Sequence, residues 1–304
     1  MKRLSILVSL TSEENDYQRA QAAAAHDAAQ KYGFETRVVF ASGDPMIQVQ
    51  QLLDEIRSPS ASRSDVIVCQ PAGGTAQGAV ARAAVDAHIG WIVLHPDADY
   101  VGELRKHSHV TVFAVCADQN AIGRCEAQQM AMLLPQGGLV LYIHGPSTSR
   151  AAQARSASLK QTQPANVRVL TLRGMGWNER NGYEAVERWL RLATSQHQST
   201  ALVAGQNDLL AVGARRFFAE RTSGDTRDRW MSLPFIGVDG LEEGGRRWVE
   251  KGVLAATVIV PQTAATAIDV LASSMQSGCP PDEMIVLTPK SWPDLEQLAP
   301  RRIV

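Results

Sequence analysis

One segment, Ala201–Ala214 (ALVAGQNDLLAVGA), contains both kinds of element from which this protein is predicted to be built. It starts with an apolar run typical of a buried strand and ends with the apolar spacing of a helix. Between them stands the polar pair Asn207-Asp208, and Asp208 is predicted to cap the helix from Leu209, since aspartate oxygens accept from free N–H groups there. The segment therefore predicts a strand leading directly into a helix, with polar side chains at the junction.

The same alternation continues in both directions along the chain. Strands are predicted at 4–10, 36–40, 66–69, 91–94, 111–115, 139–143, 167–171, 201–204, 235–238, 256–259 and 284–287. Helices are predicted at 17–31, 45–56, 75–87, 122–134, 150–161, 181–194, 209–220, 242–251 and 262–275, with surface loops at 57–65 and 222–229 and an irregular end. Strands that are apolar almost throughout, joined by helices, indicate parallel sheets covered on both faces. Because the rhythm restarts near Asp118, we expect two doubly wound, Rossmann-like α/β domains.

Composition excludes several classes of protein. Of the 304 residues, 45% are hydrophobic and 20% charged, which suits a chain that buries a core without a metal or disulfide. Thirty basic and 31 acidic residues leave a net charge of -1, so no basic excess is available for nucleic acid or an anionic membrane. No apolar run approaches the length of a transmembrane helix.

The cysteines and the first residues of the chain indicate in which cellular compartment the protein is expected. The four cysteines, Cys69, Cys116, Cys125 and Cys279, show no CxxC spacing and are expected to be small buried hydrophobes, with a Cys116–Cys125 disulfide as the alternative. Unpaired cysteines suit a reducing compartment slightly better. The apolar run after Met1-Lys2-Arg3 has no small-residue cleavage site behind it, so it predicts a buried strand and not an export signal.

Signatures of catalysis and of metal binding are missing from the sequence. The segment 73–78 (GGTAQG) is neither GxGxxG nor a P-loop and is interpreted as a tight strand-to-helix turn. No GxSxG motif occurs. His107-Ser108-His109 is expected to lie on a polar loop without metal. We therefore expect no catalytic residues, no cofactor and no metal site.

Polar and aromatic residues recur at the predicted carboxyl ends of strands, where open α/β sheets bind ligands. They are Thr11, Asn15, Tyr17, Asp118, Arg155, Trp177, Asn207, Asp208 and Asp239. Each one alone is explained as a cap, a turn residue or a partly buried aromatic, and Arg155 as a solvated helix arginine. Their recurrence in both halves of the chain indicates a ligand site.

Three segments resemble type I periplasmic sugar-binding proteins of the ribose-binding kind. Residues 204–214 are similar to the family's ANDxxAxGA motif, 235–240 (FIGVDG) to VVGFDG, and 252–258 (GVLAATV) to GKLAATV. The three occur in the family's order and spacing, and the resemblance extends over residues 4–288. The same fold forms the effector domain of LacI-type repressors.

The resemblance implies the periplasmic binding protein type I fold, with two lobes joined by a multi-strand hinge. The lobes are expected at 1–116 with 262–284 and at 117–261 with 285–304. A small sugar or polyol would bind between them by hinge closure, and the partner would be the permease of an ABC transporter or a signalling protein. The ligand contacts carried over from the family are Thr11, Asn15, Tyr17, Arg155, Trp177, Asn207 and Asp239. These suit a sugar, because flat rings cover its C–H faces and polar side chains pair with its hydroxyls.

The chain departs from the family at three positions that bear on ligand identity. His95-Pro96 replaces an Asp-Arg pair, Gln18 replaces the second stacking aromatic, and Val260 replaces a polar residue. The alternatives are a stand-alone LacI-like sensor and, last, an enzyme on this fold. DNA binding by a helix-turn-helix is not expected, since the first strand starts at residue 4. Family resemblance favours the periplasm, whereas the missing leader favours the cytoplasm.

Overall fold

The computed structural model describes residues 3–72, 77–96, 98–192 and 200–299. Its first half contains β1 (Ser5–Leu10), α1 (Asp16–Tyr32), β2 (Glu35–Phe40), α2 (Pro45–Arg57), β3 (Val66–Cys69), α3 (Gly78–Asp86), β4 (Gly90–Val93), α4 (Tyr100–His107), β5 (Val112–Ala117) and α5 (Gln119–Leu133). Then follow β6 (Gly138–His144), α6 (Arg150–Thr162), β7 (Val167–Arg173), α7 (Glu179–Leu190), β8 (Thr200–Gly205), α8 (Asp208–Arg221), α9 (Gly224–Ser232) and β9 (Phe235–Asp239). The last elements are α10 (Arg247–Glu250), β10 (Ala256–Ile259), α11 (Thr263–Ser277), β11 (Met284–Leu287) and β12 (Lys290–Trp292).

The chain forms two compact units. The first comprises Met1–Ala117 and Pro261–Leu287, and the second Asp118–Val260 and Thr288–Val304. Each unit contains one six-stranded sheet with helices, which confirms the predicted α/β fold class.

Each sheet has a point where the strand order reverses. The first sheet has the order β11-β5-β4-β3-β1-β2 with every neighbouring pair parallel. The second has the order β12-β10-β9-β8-β6-β7, in which only β12 runs antiparallel among the described strands. From β1 the sheet extends to β2 on one side and to β3, β4 and β5 on the other, so the strand order reverses between β1 and β3. The second sheet reverses in the same way between β6 and β8. Such switch points, at the carboxyl ends of the strands, are where open α/β sheets bind ligands.

Burial on both faces explains why the inner strands of each sheet are almost wholly apolar. In β1, Ile6, Val8 and Leu10 face a core shared with α1 and α11, whereas Leu7 faces the core on the opposite side. The second sheet repeats this: Leu141 and Ile143 face one core, and Val140 and Tyr142 the other. Alternate residues of a strand point to opposite faces, so a doubly covered sheet needs apolar residues at every position.

Two local signals are confirmed. Gly33 ends α1 with φ of 70°, in the left-handed region that glycine enters without steric cost, and its N–H bonds back to the last turn. Pro45 stands in the first turn of α2, where its missing N–H costs nothing.

One segment predicted as a loop is mostly helix, and another starts at the last residue of a helix. The segment 222–229 was expected to be a surface loop, but most of it belongs to α9, whose Trp230 is 1% exposed and stacks on Phe218 at 3.9 Å between ring centroids. The tertiary contact of one large aromatic outweighs a polar local sequence there. Likewise, His107 does not lie in a loop but ends α4, whose Val101 is buried.

Smaller differences concern the remaining helices and the chain end. The helix predicted at 242–251 is broken: Glu242–Arg246 forms a π-type turn with Gly244 outside helical geometry, and α10 follows. The end predicted as irregular contributes β12 to the second sheet. The turn residues 73–76 and the helix end at 193–194 lie outside the described residues.

The cysteines follow the prediction with one exception. Cys69, Cys116 and Cys125 are buried, but Cys279 is exposed, and no disulfide joins any of the four. None of the described helices combines the length and the apolarity needed to cross a membrane.

Candidate functional site

The second unit brings polar side chains together at its switch point. Gly145 follows β6, and its N–H donates to Gln206 Oε1 just beyond β8, at 2.7 Å. This bond connects the residues that follow β6 and β8, the two parallel strands between which the strand order reverses. Arg155, Trp177 and Asn207 all contact one another or Gln206 at this edge.

Arg155 on α6 is 6% exposed, so the interpretation as a solvated surface arginine is wrong. Its Nη1 donates to the Gln206 carbonyl oxygen at 2.6 Å, and its Nε donates to Gln119 Oε1 at 2.9 Å. These bonds use two of the five N–H groups of a guanidinium. Its Cζ lies 5.7 Å from the centroid of the Trp177 ring, within the range of a cation–π interaction.

Trp177 lies against the backbone of the loop after β6. A Cβ added to Gly145 would come within 2.3 Å of the indole, so only glycine leaves room for the ring there. The indole is half-buried. One unit therefore supplies a partly accessible aromatic face beside a buried cation.

Asn207 holds the start of α8 and so corrects the predicted cap. Its Oδ1 accepts from the Leu210 N–H at 2.9 Å, and the helix begins at Asp208, so Asn207 and not Asp208 is the cap. Its Nδ2 donates to the Trp177 carbonyl oxygen at 2.7 Å. The side chain is 1% exposed. Both ends of the Asn207 amide thus fix backbone of the candidate site.

Asp208 is the first residue of α8 and does not cap that helix. Its buried carboxyl lies next to Gly240, just after β9. Asp208 is 3% exposed, and its carboxylate accepts from the Gly240 N–H at 2.9 Å and from the Thr257 hydroxyl at 2.6 Å. Burial and then the nearby charge of Asp239 raise its pKa well above the usual range of an aspartate. Asp239 itself ends β9 at 9% exposed, with φ of 111°, a conformation rare for a residue with a side chain.

A second buried carboxyl belongs to the same polar network. Glu126 on α5 is 1% exposed and accepts from the Tyr142 hydroxyl at 3.1 Å. Burial raises the pKa of Glu126 to about 8, although Arg155 and the Tyr142 bond lower it in part. Nothing in the sequence marks Glu126, whose spacing in α5 gives no sign of this environment.

In the first unit, Thr11, Asn15 and Tyr17 meet around the start of α1. Asn15 caps the helix, its Oδ1 accepting from the Tyr17 N–H at 2.8 Å. The Tyr17 hydroxyl donates to the Pro261 carbonyl at 2.8 Å and accepts from Gln21 Nε2 at 2.9 Å. Thr11 directly follows β1, and its N–H donates to the Gln18 side chain at 3.3 Å. All three side chains are half-buried.

The sequence places Asp118 at the end of a predicted strand like these residues, and in the structure it caps a helix. Its Oδ1 accepts from the Ala121 N–H at 2.8 Å at the start of α5, and Arg124 pairs with its other oxygen. In the described part of the chain, no group of three or more His, Cys, Asp or Glu residues is arranged to hold a metal ion.

Comparison with known proteins decides the family. The family model described as "Periplasmic binding protein domain" matches residues 6–278. The chain belongs to this family. The resemblance noted in the sequence is thereby confirmed.

Solved structures similar to this periplasmic binding protein domain include solute-binding proteins. One, an ABC transporter periplasmic solute-binding protein from Actinobacillus succinogenes with bound D-allose, has 17% identity and a TM-score of 0.80, covering 97% of this chain and 99% of that one. Another, an ABC transporter solute-binding protein from Mycobacterium smegmatis with bound glycerol, has 22% identity and a TM-score of 0.78, covering 98% and 96%. The Caulobacter myo-inositol binding protein has 18% identity and a TM-score of 0.76, covering 95% and 93%. Comparison with curated proteins finds no match.

The first unit of this periplasmic binding protein domain has glutamines at its switch point. They are not among the residues predicted from the sequence. Gln70 follows β3, and its Oε1 accepts from Gln18 Nε2 at 3.0 Å, which links the end of β3 to the first turn of α1. Gln48 lies behind them, fully buried, and donates to Ser9 Oγ and to the Gln70 carbonyl. Gln70 could have been found from the sequence, because it directly follows a predicted strand. Gln48 stands inside a helix, and no sequence signal marks it.

Proposed function

We propose that this protein binds a small sugar or polyol between its two units and closes on it by a hinge. The two units would be the ligand-binding lobes. The permease of an ABC-type transporter would recognise the closed, loaded form. Related folds carry D-allose, myo-inositol or glycerol, which are neutral and rich in hydroxyls. That chemistry suits the side chains at the two switch points.

The observation that carries the proposal is the meeting of Arg155, Trp177 and Asn207 at one edge of the second sheet. A half-buried indole offers an apolar face to the C–H groups of a sugar ring. Beside it, the guanidinium N–H groups that Gln206 and Gln119 do not use can donate to ring and hydroxyl oxygens. Asp239 would accept from hydroxyls, as carboxylates form strong charge-assisted hydrogen bonds.

The first unit would supply the opposite side of the ligand. The Tyr17 hydroxyl is already bonded to Pro261 and Gln21, so its ring is the part that would contact the sugar. Thr11 and the Asn15 amide group would add polar contacts. Gln70 and Gln18 bring neutral amides to the same edge, which favours an uncharged ligand over an anionic one.

The environment of the two buried carboxyls supports a binding role without chemistry. Asp208 is held by Gly240 and Thr257, and Glu126 by Tyr142, so each is engaged inside the unit. We therefore propose that the sugar is released unchanged. Recovery of an altered sugar after incubation would contradict this part of the proposal.

A thermal-shift screen tests the proposal, with pentoses, hexoses including D-allose, and polyols including myo-inositol and glycerol. A compound at 100 times its dissociation constant adds about 2.7 kcal/mol to the free energy of unfolding. Calorimetry on each hit should show one site per chain. The proposal fails if no compound of the panel raises the melting temperature, or if a hit binds the Trp177→Ala variant as well as the wild type.

A further inference from the structure

Glu126 is a buried acid that the proposed sugar contacts do not use. It is 1% exposed, and its Oε1 has no hydrogen-bond partner among the residues that the structure describes. Only Oε2 is engaged, accepting from the Tyr142 hydroxyl at 3.1 Å. An unsatisfied buried oxygen is costly, and more so when it carries charge. Such a group calls for an explanation beyond packing.

A chain of hydrogen bonds leads from Glu126 to Arg155. The Tyr142 hydroxyl accepts from Gln206 Nε2 at 3.0 Å, and the Gln206 backbone carbonyl accepts from Arg155 Nη1 at 2.6 Å. Gln206 Oε1 also accepts from the Gly145 N–H, at the residue against which Trp177 lies. Gln206 is 0% exposed and stands at the centre of this chain. A change at Glu126 therefore reaches the guanidinium through fully buried, directional contacts.

The groups that act on Glu126 are few. Arg155 on α6 attracts its charged form, and Tyr142 on β6 bonds to it, while Cys125 on its own helix is a buried thiol with a raised pKa. Burial is the largest effect and raises the pKa of Glu126 to about 8. Near neutral pH the carboxyl is therefore protonated, and the charge of Arg155 is not balanced by it.

We propose that protonated Glu126 is a positioning residue that leaves the Arg155 guanidinium available to the sugar, so that loss of this proton weakens sugar binding. The proposal rests on the sugar-binding function proposed above. A carboxylate in this buried position would attract the guanidinium strongly, because the interior screens charges poorly. The cation would then be paired inside the unit, and a sugar hydroxyl would have to compete with a full negative charge.

The test measures sugar affinity against pH in matched variants. Calorimetry would use D-allose, myo-inositol or whichever other member of the panel binds tightest, between about pH 6.5 and about pH 9.5. For the wild type we expect the dissociation constant to rise by about tenfold over that range, since one coupled proton changes affinity by at most about tenfold per pH unit. Glu126→Gln should bind like the wild type at the lowest pH and show no such rise. Glu220→Gln, which changes an exposed carboxyl, is the control and should keep the wild-type profile.

Two further measurements guard against misfolding and against a purely structural role. In Tyr142→Phe the hydroxyl that lowers the pKa of Glu126 is lost, so the midpoint of the pH profile should move upward. Carbon-13 spectra of the ligand-free wild type, labelled in glutamate carboxyls, should show one carboxyl that titrates far above the others. The proposal is overturned if no such carboxyl exists, if the wild-type affinity does not change with pH, or if Glu126→Gln weakens binding equally at every pH. If the carboxyl titrates as expected but no sugar binds, the proposed function fails, and this inference falls with it.

Discussion

The Asn207 side-chain amide donates from Nδ2 to the backbone carbonyl of Trp177 at 2.7 Å, across 30 residues of chain. Its Oδ1 meanwhile caps α8. One buried side chain thus ties the carboxyl end of β8 to the loop that carries the indole. The position of the aromatic face depends on a helix cap in another part of the unit.

This link predicts separate effects on stability and on binding. Asn207→Ala should lower the free energy of unfolding by about 0.5–2 kcal/mol, because the cap is lost. Asn207→Asp keeps the cap oxygen but replaces the donor to the Trp177 carbonyl with a repelling oxygen. It should also lose about 1–3 kcal/mol, because a buried carboxyl oxygen then faces that carbonyl without a donor, and it should bind sugar more weakly. Urea denaturation and calorimetry measure the two effects.

A helix cap in the first unit provides the control for Asn207. Asp44 caps α2 by accepting from the Met46 N–H at 2.7 Å, and among the described residues its side chain forms no hydrogen bond with any of the seven predicted ligand contacts. Asp44→Ala should lose similar stability without a change in sugar affinity. If Asn207→Asp binds sugar normally, the Trp177 link has no part in the site.

Arg155 and Trp177 are expected to contribute most to affinity. Loss of a hydrogen bond to a charged group costs about 1.5–3 kcal/mol, or roughly 10- to 150-fold in affinity, and loss of the indole should cost a comparable amount. Arg155→Ala and Trp177→Ala should each remove most of the sugar-induced thermal shift. Because Arg155 is buried and bonded to Gln206 and Gln119, its removal should also lower the melting temperature without sugar.

Exposed residues of the same types provide the controls. Arg168→Ala and Trp292→Ala should leave the thermal shift intact, since neither belongs to the candidate set. Wild-type affinity in Trp177→Ala would place the sugar elsewhere on the protein.

Asp208 predicts a stability that depends on pH. Its pKa is raised in the folded protein above the ordinary value of 3.8, so the folded state holds a proton that the unfolded chain releases. The free energy of unfolding should therefore fall as the pH rises from about 4 through the folded-state pKa. Asp208→Asn should reduce this dependence, since an amide can accept from the Gly240 N–H and donate to the Thr257 hydroxyl. Urea denaturation at several pH values measures the slope.

The alanine variant separates hydrogen bonding from titration. Asp208→Ala leaves the Gly240 N–H and the Thr257 hydroxyl without their acceptor and should cost about 1–3 kcal/mol near pH 4, and less at higher pH, where the wild type itself is destabilised. The dependence that remains in Asp208→Asn should disappear when Glu126→Gln is added. An unchanged slope in the double variant would show that neither carboxyl is protonated in the folded state.

Variants at Tyr17 distinguish the contribution of its ring from that of its hydroxyl. In Tyr17→Phe the Pro261 carbonyl loses its donor, so the free energy of unfolding should fall by about 1 kcal/mol. Sugar affinity should stay within about threefold of wild type, because the ring that would face the sugar is kept. Tyr17→Ala should lose affinity. Tyr32→Phe, which removes a hydroxyl bonded to Asp269 at the other end of α1, is the control, and a large affinity loss in Tyr17→Phe would contradict the role given to the ring.

The sequence alone determined the alternation of strands and helices and the α/β fold class. It did so because a strand covered on both faces, such as β3 (Val66–Cys69), needs apolar residues at every position. Local caps such as Gly33 were equally visible, since the left-handed backbone there selects glycine. Helix α9 was missed, because its stability comes from Trp230 packing on Phe218 and not from local propensity.

The tertiary structure alone decided which carboxyl groups are buried and which partners the buried polar side chains bond to. From the sequence, Asp208 has the pattern of a helix cap, and Arg155 has two interpretations, a solvated helix arginine and a ligand contact. Their hydrogen-bond partners lie 32 to 51 residues away, at Gly240, Thr257 and Gln206, where no local pattern reaches. The raised pKa values of Asp208 and Glu126 depend on burial, which only the packed sheet and helices create.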